Sequence, residues 1–201
     1  MSLRKALLVP VTALLLLAGC GGPDAARDRH DPMAATAQSP VDVRAQLAAH
    51  RDEQMARLEA YSRAGQFPHD YTTAPSLHMF RDADGRLCAV ANLVHQDGRD
   101  DLVETTVRTR NDLVVADVHD GPMLDWMLGS GLTQEELARI QAPAPVLAAP
   151  PVRPAPPRVD EVAMIAAIRA HIAQVEAELR ANREKSLDVA VDRWTTAHHA
   201  A

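Results

Sequence analysis

VDVRAQLAAHRDEQMARLEAYSRA, residues 41–64, is the stretch on which the fold turns. Apolar residues recur at Val43, Leu47, Gln54/Met55, Leu58 and Tyr61, close to helical spacing, with one weak turn around Arg51. Ser39-Pro40 supplies a start signal and Gly65 a stop. The spacing predicts a helix over Val41–Ala64 with Arg44, Arg51, Asp52, Arg57 and Glu59 on its wet face.

Downstream, residues 66–76 are irregular, with Pro68 and Pro75, and Leu77–Phe80 reads as a short strand or extended segment. Asp82-Ala83-Asp84-Gly85 is a turn, because aspartate bonds its own backbone and glycine accepts positive φ. Over Leu87–Gln96 the apolar residues Leu87, Val90, Ala91 and Val94 fit a helix better than a strand, and Gly98 ends it. Further short helices are predicted over Asp101–Arg108 and Met123–Leu128, the latter opened by Pro122 and broken by Gly129-Ser130-Gly131. Leu113–Ala116 is a brief β-prone run. Thr133 and Glu136 form a capping box that starts a helix to Gln141. The fold class is therefore mainly α: a small helical domain over 41–141, with short strands. Aromatic content is 3%, so its core must be mostly aliphatic.

Residues 142–158 contain seven prolines and cannot be helix or sheet, since proline lacks a donor and fixes φ. They read as a stiff spacer of up to roughly 50 Å. Beyond it, 159–197 reads as one long amphipathic helix with a seam at Val162, Ile165, Ile168, Ile172, Val175 and Leu179. The seam fades through Asn182 and resumes, shifted, at Leu187, Val191 and Trp194. Pairing with a second copy as a coiled coil, docking on the chain's own domain, or binding an envelope protein would each cover it.

At the other end, Arg4 and Lys5 precede a 12-residue apolar run, Ala6–Leu17, too short to span a bilayer as a helix. The run closes in Leu17-Ala18-Gly19-Cys20, which resembles the bacterial lipobox. The resemblance implies that 1–19 is a signal peptide and that Cys20 carries lipid, palmitate included, anchoring the chain in a membrane. Each buried methylene adds about 0.8 kcal/mol, so two or three acyl chains hold firmly where one would not. Gly21 follows the cysteine, which by the same resemblance implies the outer membrane in a host with two. Residues 20–40, rich in Gly, Pro, Ala, Asp and Ser, read as a flexible tether. Without the leader, 19 basic residues face 27 acidic ones, a net charge of −8, so nucleic acid is not an expected partner.

The stretch from Phe80 to Gly98, with Asp82, Gly85, Cys88, Ala89, Val90 and Leu93, and the closing run Ser130–Gln141 together resemble a group of exported bacterial proteins. That group pairs a DxxGxxCAVxxL stretch with an SGLTxxExAxIQ helix. The resemblance spans roughly residues 77–141, a third of the chain, and implies no activity.

With Cys20 lipidated, Cys88 has no partner cysteine in the chain. Its apolar neighbours predict a buried structural thiol, for which serine would be a worse replacement than alanine. Cys88, Asn92 and His95 share a helix face and invite a catalytic reading. Seven residues rise about 10.5 Å, however, too far for a same-helix dyad. A histidine at 78 or 119 would have to approach instead. His69, Asp70, His78, Cys88, His95, His119 and Asp120 follow no metal-ligand spacing. Read as a calcium loop, the Asp82-x-Asp84-Gly85 turn would place Phe80 and Ala91 at ligand positions, which neither can fill. No cofactor or metal is expected.

The expectation is thus a lipid-anchored, non-catalytic structural or interaction protein of the cell envelope. Its rivals are an extracytoplasmic enzyme or redox protein using Cys88 with a histidine, and a ligand-binding lipoprotein with a sizeable apolar pocket.

Overall fold

A capping box opens the first helix, α1 (Pro40–Ala64). Asp42 N–H donates to Ser39 Oγ while the Ser39 N–H donates to Asp42 Oδ2, both at 3.3 Å. Gly65, at φ 67°, closes it and donates its N–H to Tyr61 O. The buried stripe of α1 is Val43, Leu47, Arg51, Gln54, Leu58 and Tyr61. It keeps helical period through the weak turn, with polar side chains at its centre. Arg51 is 1% exposed, which corrects its expected place on the wet face.

The computed structural model describes residues 39–69, 79–142 and 161–199. The expected signal peptide, the tether up to 38, His78 and the proline-rich spacer after Ala142 lie outside them. The architecture is mainly α, with seven α-helices among the described residues. After α1 come α2 (Ala89–Gln96), α3 (Asp100–Arg110), α4 (Gly121–Gly129) and α5 (Gln134–Gln141). The last two are α6 (Glu161–Ala181) and α7 (Arg183–His199).

The β-prone segments do not become strands among the described residues. Arg81 and Leu87 form one isolated antiparallel bridge across the turn. Leu113–Ala116 leads instead into a 3-10 turn, Val115–Asp117, because α5 supplies its backbone partners. Gln141 Oε1 accepts the Val115 N–H at 2.8 Å and its Nε2 donates to Leu113 O. Gln134 Nε2 donates to the carbonyls of Val115, Ala116 and Val118. With those groups satisfied by side chains, the segment needs no neighbouring strand.

The C-terminal stretch departs most from expectation. It is two helices, not one, separated at Asn182, and it is not a body apart from 41–141. Ile172, Val175 and Leu179 of α6 belong to the same apolar cluster as Leu58, Phe80, Val90, Leu93, Met127 and Leu137. On α7, Leu187, Ala190 and Trp194 are buried. The pair runs antiparallel along α1. Arg169 donates to Ser62 O and Arg63 O near one end, and Arg44 pairs with Glu184 and Asp188 near the other. The resumed seam is Leu187, Ala190 and Trp194; Val191 is only half-buried. The chain's own helices thus cover the central seam. Its first residue, Val162, stays 78% exposed.

Candidate functional site

The stretches 80–98 and 130–141 each seat short helices. In the first, the extended segment at Phe80-Arg81 is clamped by Asn111 at the end of α3. Phe80 N–H donates to Asn111 O, Arg81 N–H to Asn111 Oδ1, and Asn111 Nδ2 to Arg81 O. The Asp82 carboxylate, almost fully buried, accepts backbone N–H groups from His69, Asp84 and Arg86 at 2.8–3.2 Å. These amides use its lone pairs, as an Asx turn requires, so the calcium-loop likeness reduces to a turn. Gly85, at φ 84°, completes it.

Cys88 is the N-cap of α2: its Sγ accepts the Ala91 N–H at 3.4 Å, and its own N–H donates to Phe80 O at 2.9 Å. The residue is half-buried and packs on the apolar cluster with Leu87. Burial pushes the thiol up to about 11, against weaker opposing hydrogen bonds from Ala91 and Val90. At neutral pH it is therefore a thiol, not the thiolate that nucleophilic chemistry needs. His95 is exposed at the far end of α2, with Nδ1 2.5 Å from Asp100 Oδ1. Asn92 is half-buried between them, and His119 is exposed in the loop before α4. Among the described residues no hydrogen bond joins Cys88 to a histidine, and no three of His, Cys, Asp and Glu gather as a metal site.

The second stretch builds the centre of the molecule. Thr133 and Glu136 make the expected capping box, with Glu136 N–H donating to Thr133 Oγ1 and Thr133 N–H to Glu136 Oε2. Glu136 also receives Arg51, whose Nη1 and Nη2 reach its two oxygens at 2.8 and 2.7 Å. Ser186 Oγ on α7 donates to Glu136 Oε1 at 2.7 Å. Arg51 further donates to Gly131 O and to Leu179 O, near the end of α6. One buried ion pair thus joins α1, the 130–133 loop, α5, α6 and α7. Burial pushes the Glu136 carboxyl up, but bonds from Arg51, Thr133 and Ser186 and the charge on Arg51 outweigh it and hold it below the ordinary range. Gly131 has to be glycine. Its φ is +75°, and a Cβ there would lie 2.1 Å from Leu47 O and 2.7 Å from Arg51 N. Ser130 Oγ, meanwhile, donates to Met127 O and accepts the Leu132 N–H.

Arg51 is the residue that the sequence reading misplaced, although a signal was present. It falls four residues after Leu47 and seven before Leu58, on the apolar stripe. A second, half-buried polar junction, equally unforeseen, is Asp97 at the end of α2. It accepts from Gln54 Nε2 and Trp126 Nε1, each at 2.7 Å, and pairs with Arg57.

An open groove of about 400 Å³ lies by the start of α5, lined by Ala116, Gln134, Ala138, Val189 and Arg193 among others. Two of its polar lining side chains are engaged, since Gln134 Oε1 accepts from Arg193 while Nε2 holds the 3-10 turn. Compared with protein families, curated proteins and solved structures, the chain matches none.

Proposed function

We propose that this chain is a lipid-anchored envelope protein with a structural or interaction role and no catalytic one. The Leu17-Ala18-Gly19-Cys20 run supports the anchor, with lipid on Cys20. The observation that carries the non-catalytic reading is how the signature residues are used. Asp82, Cys88, Ser130, Thr133, Glu136 and Gln141 each direct their polar atoms to a backbone group or to the buried ion pair. None is left aimed at a substrate, and the lone thiol is held protonated. No helix among the described residues is long and apolar enough to cross a membrane. An envelope partner or second copy reached through the C-terminal helices would meet the first turns of α6. There Val162 is exposed and Ile165 and Ile168 are half-buried.

The test is Cys20→Ser in a bacterial host, with fatty-acid labelling and membrane fractionation. Loss of the label and release from the membrane are expected, and in a two-membrane host the parent protein should sediment with the outer membrane. A serine variant that is processed and retained like the parent would remove the basis of the proposal.

A further inference from the structure

The break between α6 and α7 falls at Asn182, whose Nδ2 bonds back to Glu178 O, in a stretch without the usual helix breakers. Residues 161–199 contain neither glycine nor proline, and a helical reading runs through the break. Sharp bends without those residues arise where a side chain enters the backbone ladder. The helical ladder is intact on both sides: Asn182 N–H donates to Glu178 O, and Ser186 N–H to Asn182 O. Between them lies Leu179 O, which in an unbroken helix would accept the N–H of Arg183. Here it accepts Arg51 Nη2 at 2.8 Å, from a guanidinium fixed on its other side by Glu136. The ion pairs near the break, Arg183 to Asp52 and Arg44 to Glu184 and Asp188, are exposed and screened by solvent, and the buried Ser186 Oγ bonds Glu136 without touching the backbone ladder. Asn182 Nδ2 also reaches the ladder, donating to Glu178 O at 2.9 Å, but that bond is exposed and Glu178 O keeps the Asn182 N–H; Arg51 makes the buried contact, on Leu179 O.

We propose that Arg51 is a wedge that splits 161–199 into α6 and α7, and that its pairing with Glu136 latches the wedge in place. With the latch closed, the stretch bends to follow α1, presenting Ile172, Val175 and Leu179 on one side of the break and Leu187, Ala190 and Trp194 on the other. With it open, Leu179 O returns to Arg183 and the stretch becomes one straight helix. Arg51 is therefore a positioning residue that sets the docked shape of the C-terminal helices. This holds wherever the chain is anchored.

Two variants test it in the full-length protein. Arg51→Met with Glu136→Gln removes the wedge and both charges while leaving an acceptor for the Thr133 N–H. Arg51→Lys keeps a charge for Glu136 but offers one nitrogen where arginine offers two. In both, hydrogen exchange at the Arg183 amide should slow by roughly tenfold or more as its helical bond forms. Spin labels at the exposed positions Ala173 and Asp192, in a Cys88→Ser background, should move toward the separation of about 29 Å that a straight helix gives. Unchanged exchange, or an unchanged separation, in the folded variants overturns the proposal, because packing on α1 would then be what bends the helix. So does failure of both variants to fold, which would make Arg51 a condition of the fold, not a wedge within it.

Discussion

At the scale of single residues, position decides what chemistry means. A cysteine among Leu87, Ala89 and Val90 reads as a core thiol, and on that reading serine is the worse substitute. The N-cap role reverses the order. Serine is among the preferred caps, and its oxygen accepts a backbone N–H better than sulfur does. Cys88→Ser should leave stability unchanged or raise it, while Cys88→Ala should lose about 0.5–2 kcal/mol with the cap. Urea titrations of the two variants check this, and an alanine variant more stable than the serine one would dismiss the cap. Gly131 gives a sharper case. Alanine there meets the α1 backbone at Leu47 O and Arg51 N, neither of which can swing aside, and adopts an unfavourable φ. Gly131→Ala should cost on the order of 4 kcal/mol or more, in the exceptional range for one substitution. A thermal melt within a few degrees of the parent would show that the loop can move off α1.

At the scale of elements, local rules were legible and distant partners were not. Ser39, Gly65, Thr133 and Gly129-Ser130-Gly131 marked helix ends in the sequence because caps and breaks act over three or four residues. The helix ending at Gln96 was legible from its period, although it starts at Ala89 and leaves Leu87 in the bridge to Arg81, and the turn at Asp82–Gly85 was legible from its residue types. Arg51 and Glu136, 85 residues apart, could not be paired that way. A lone arginine on an apolar stripe looks like an interruption until its partner is known. The pair makes two checkable demands. Removing one member leaves a buried charge unmatched, so Arg51→Ala and Glu136→Ala should each cost about 3–5 kcal/mol, and a double-mutant cycle should find them strongly coupled. The second demand concerns acid. The folded carboxyl sits below its ordinary value, so its contribution is complete above the unfolded pKa of about 4.3 and is lost as pH falls through the folded one. Unfolding free energy should therefore decline below about pH 4, and the decline should shrink in Glu136→Gln. An equal acid slope in that variant would assign the effect to other carboxylates.

At the scale of the whole molecule, the seven prolines of 142–158 read in the sequence as a spacer that sets the helix beyond it apart, with docking back on the domain one of three ways to cover its seam. A spacer in the sequence is not a break in the core, however. Which surface covers an apolar seam is decided by shape and by partners such as Arg51, neither of which appears in the periodicity. Ile172, Val175, Leu179 and Leu187 are at most 4% exposed, and all four would be uncovered together if α6 and α7 left. Forgoing their burial costs on the order of 6–12 kcal/mol as an upper estimate. That matches the entire stability of an ordinary domain, roughly 5–15 kcal/mol. The partners left behind would fare no better, since Arg51 would lose Leu179 O, and Glu136 would lose Ser186. A chain ending at residue 142 should therefore lack a cooperative melt, and a peptide of 159–201 should be largely unfolded and monomeric alone. Mixed together, the two should regain helicity in circular dichroism and co-elute as a one-to-one complex. A 142-residue fragment that melts cooperatively near the parent's midpoint would make α6 and α7 accessories. The seam would then again be a surface for another protein to cover.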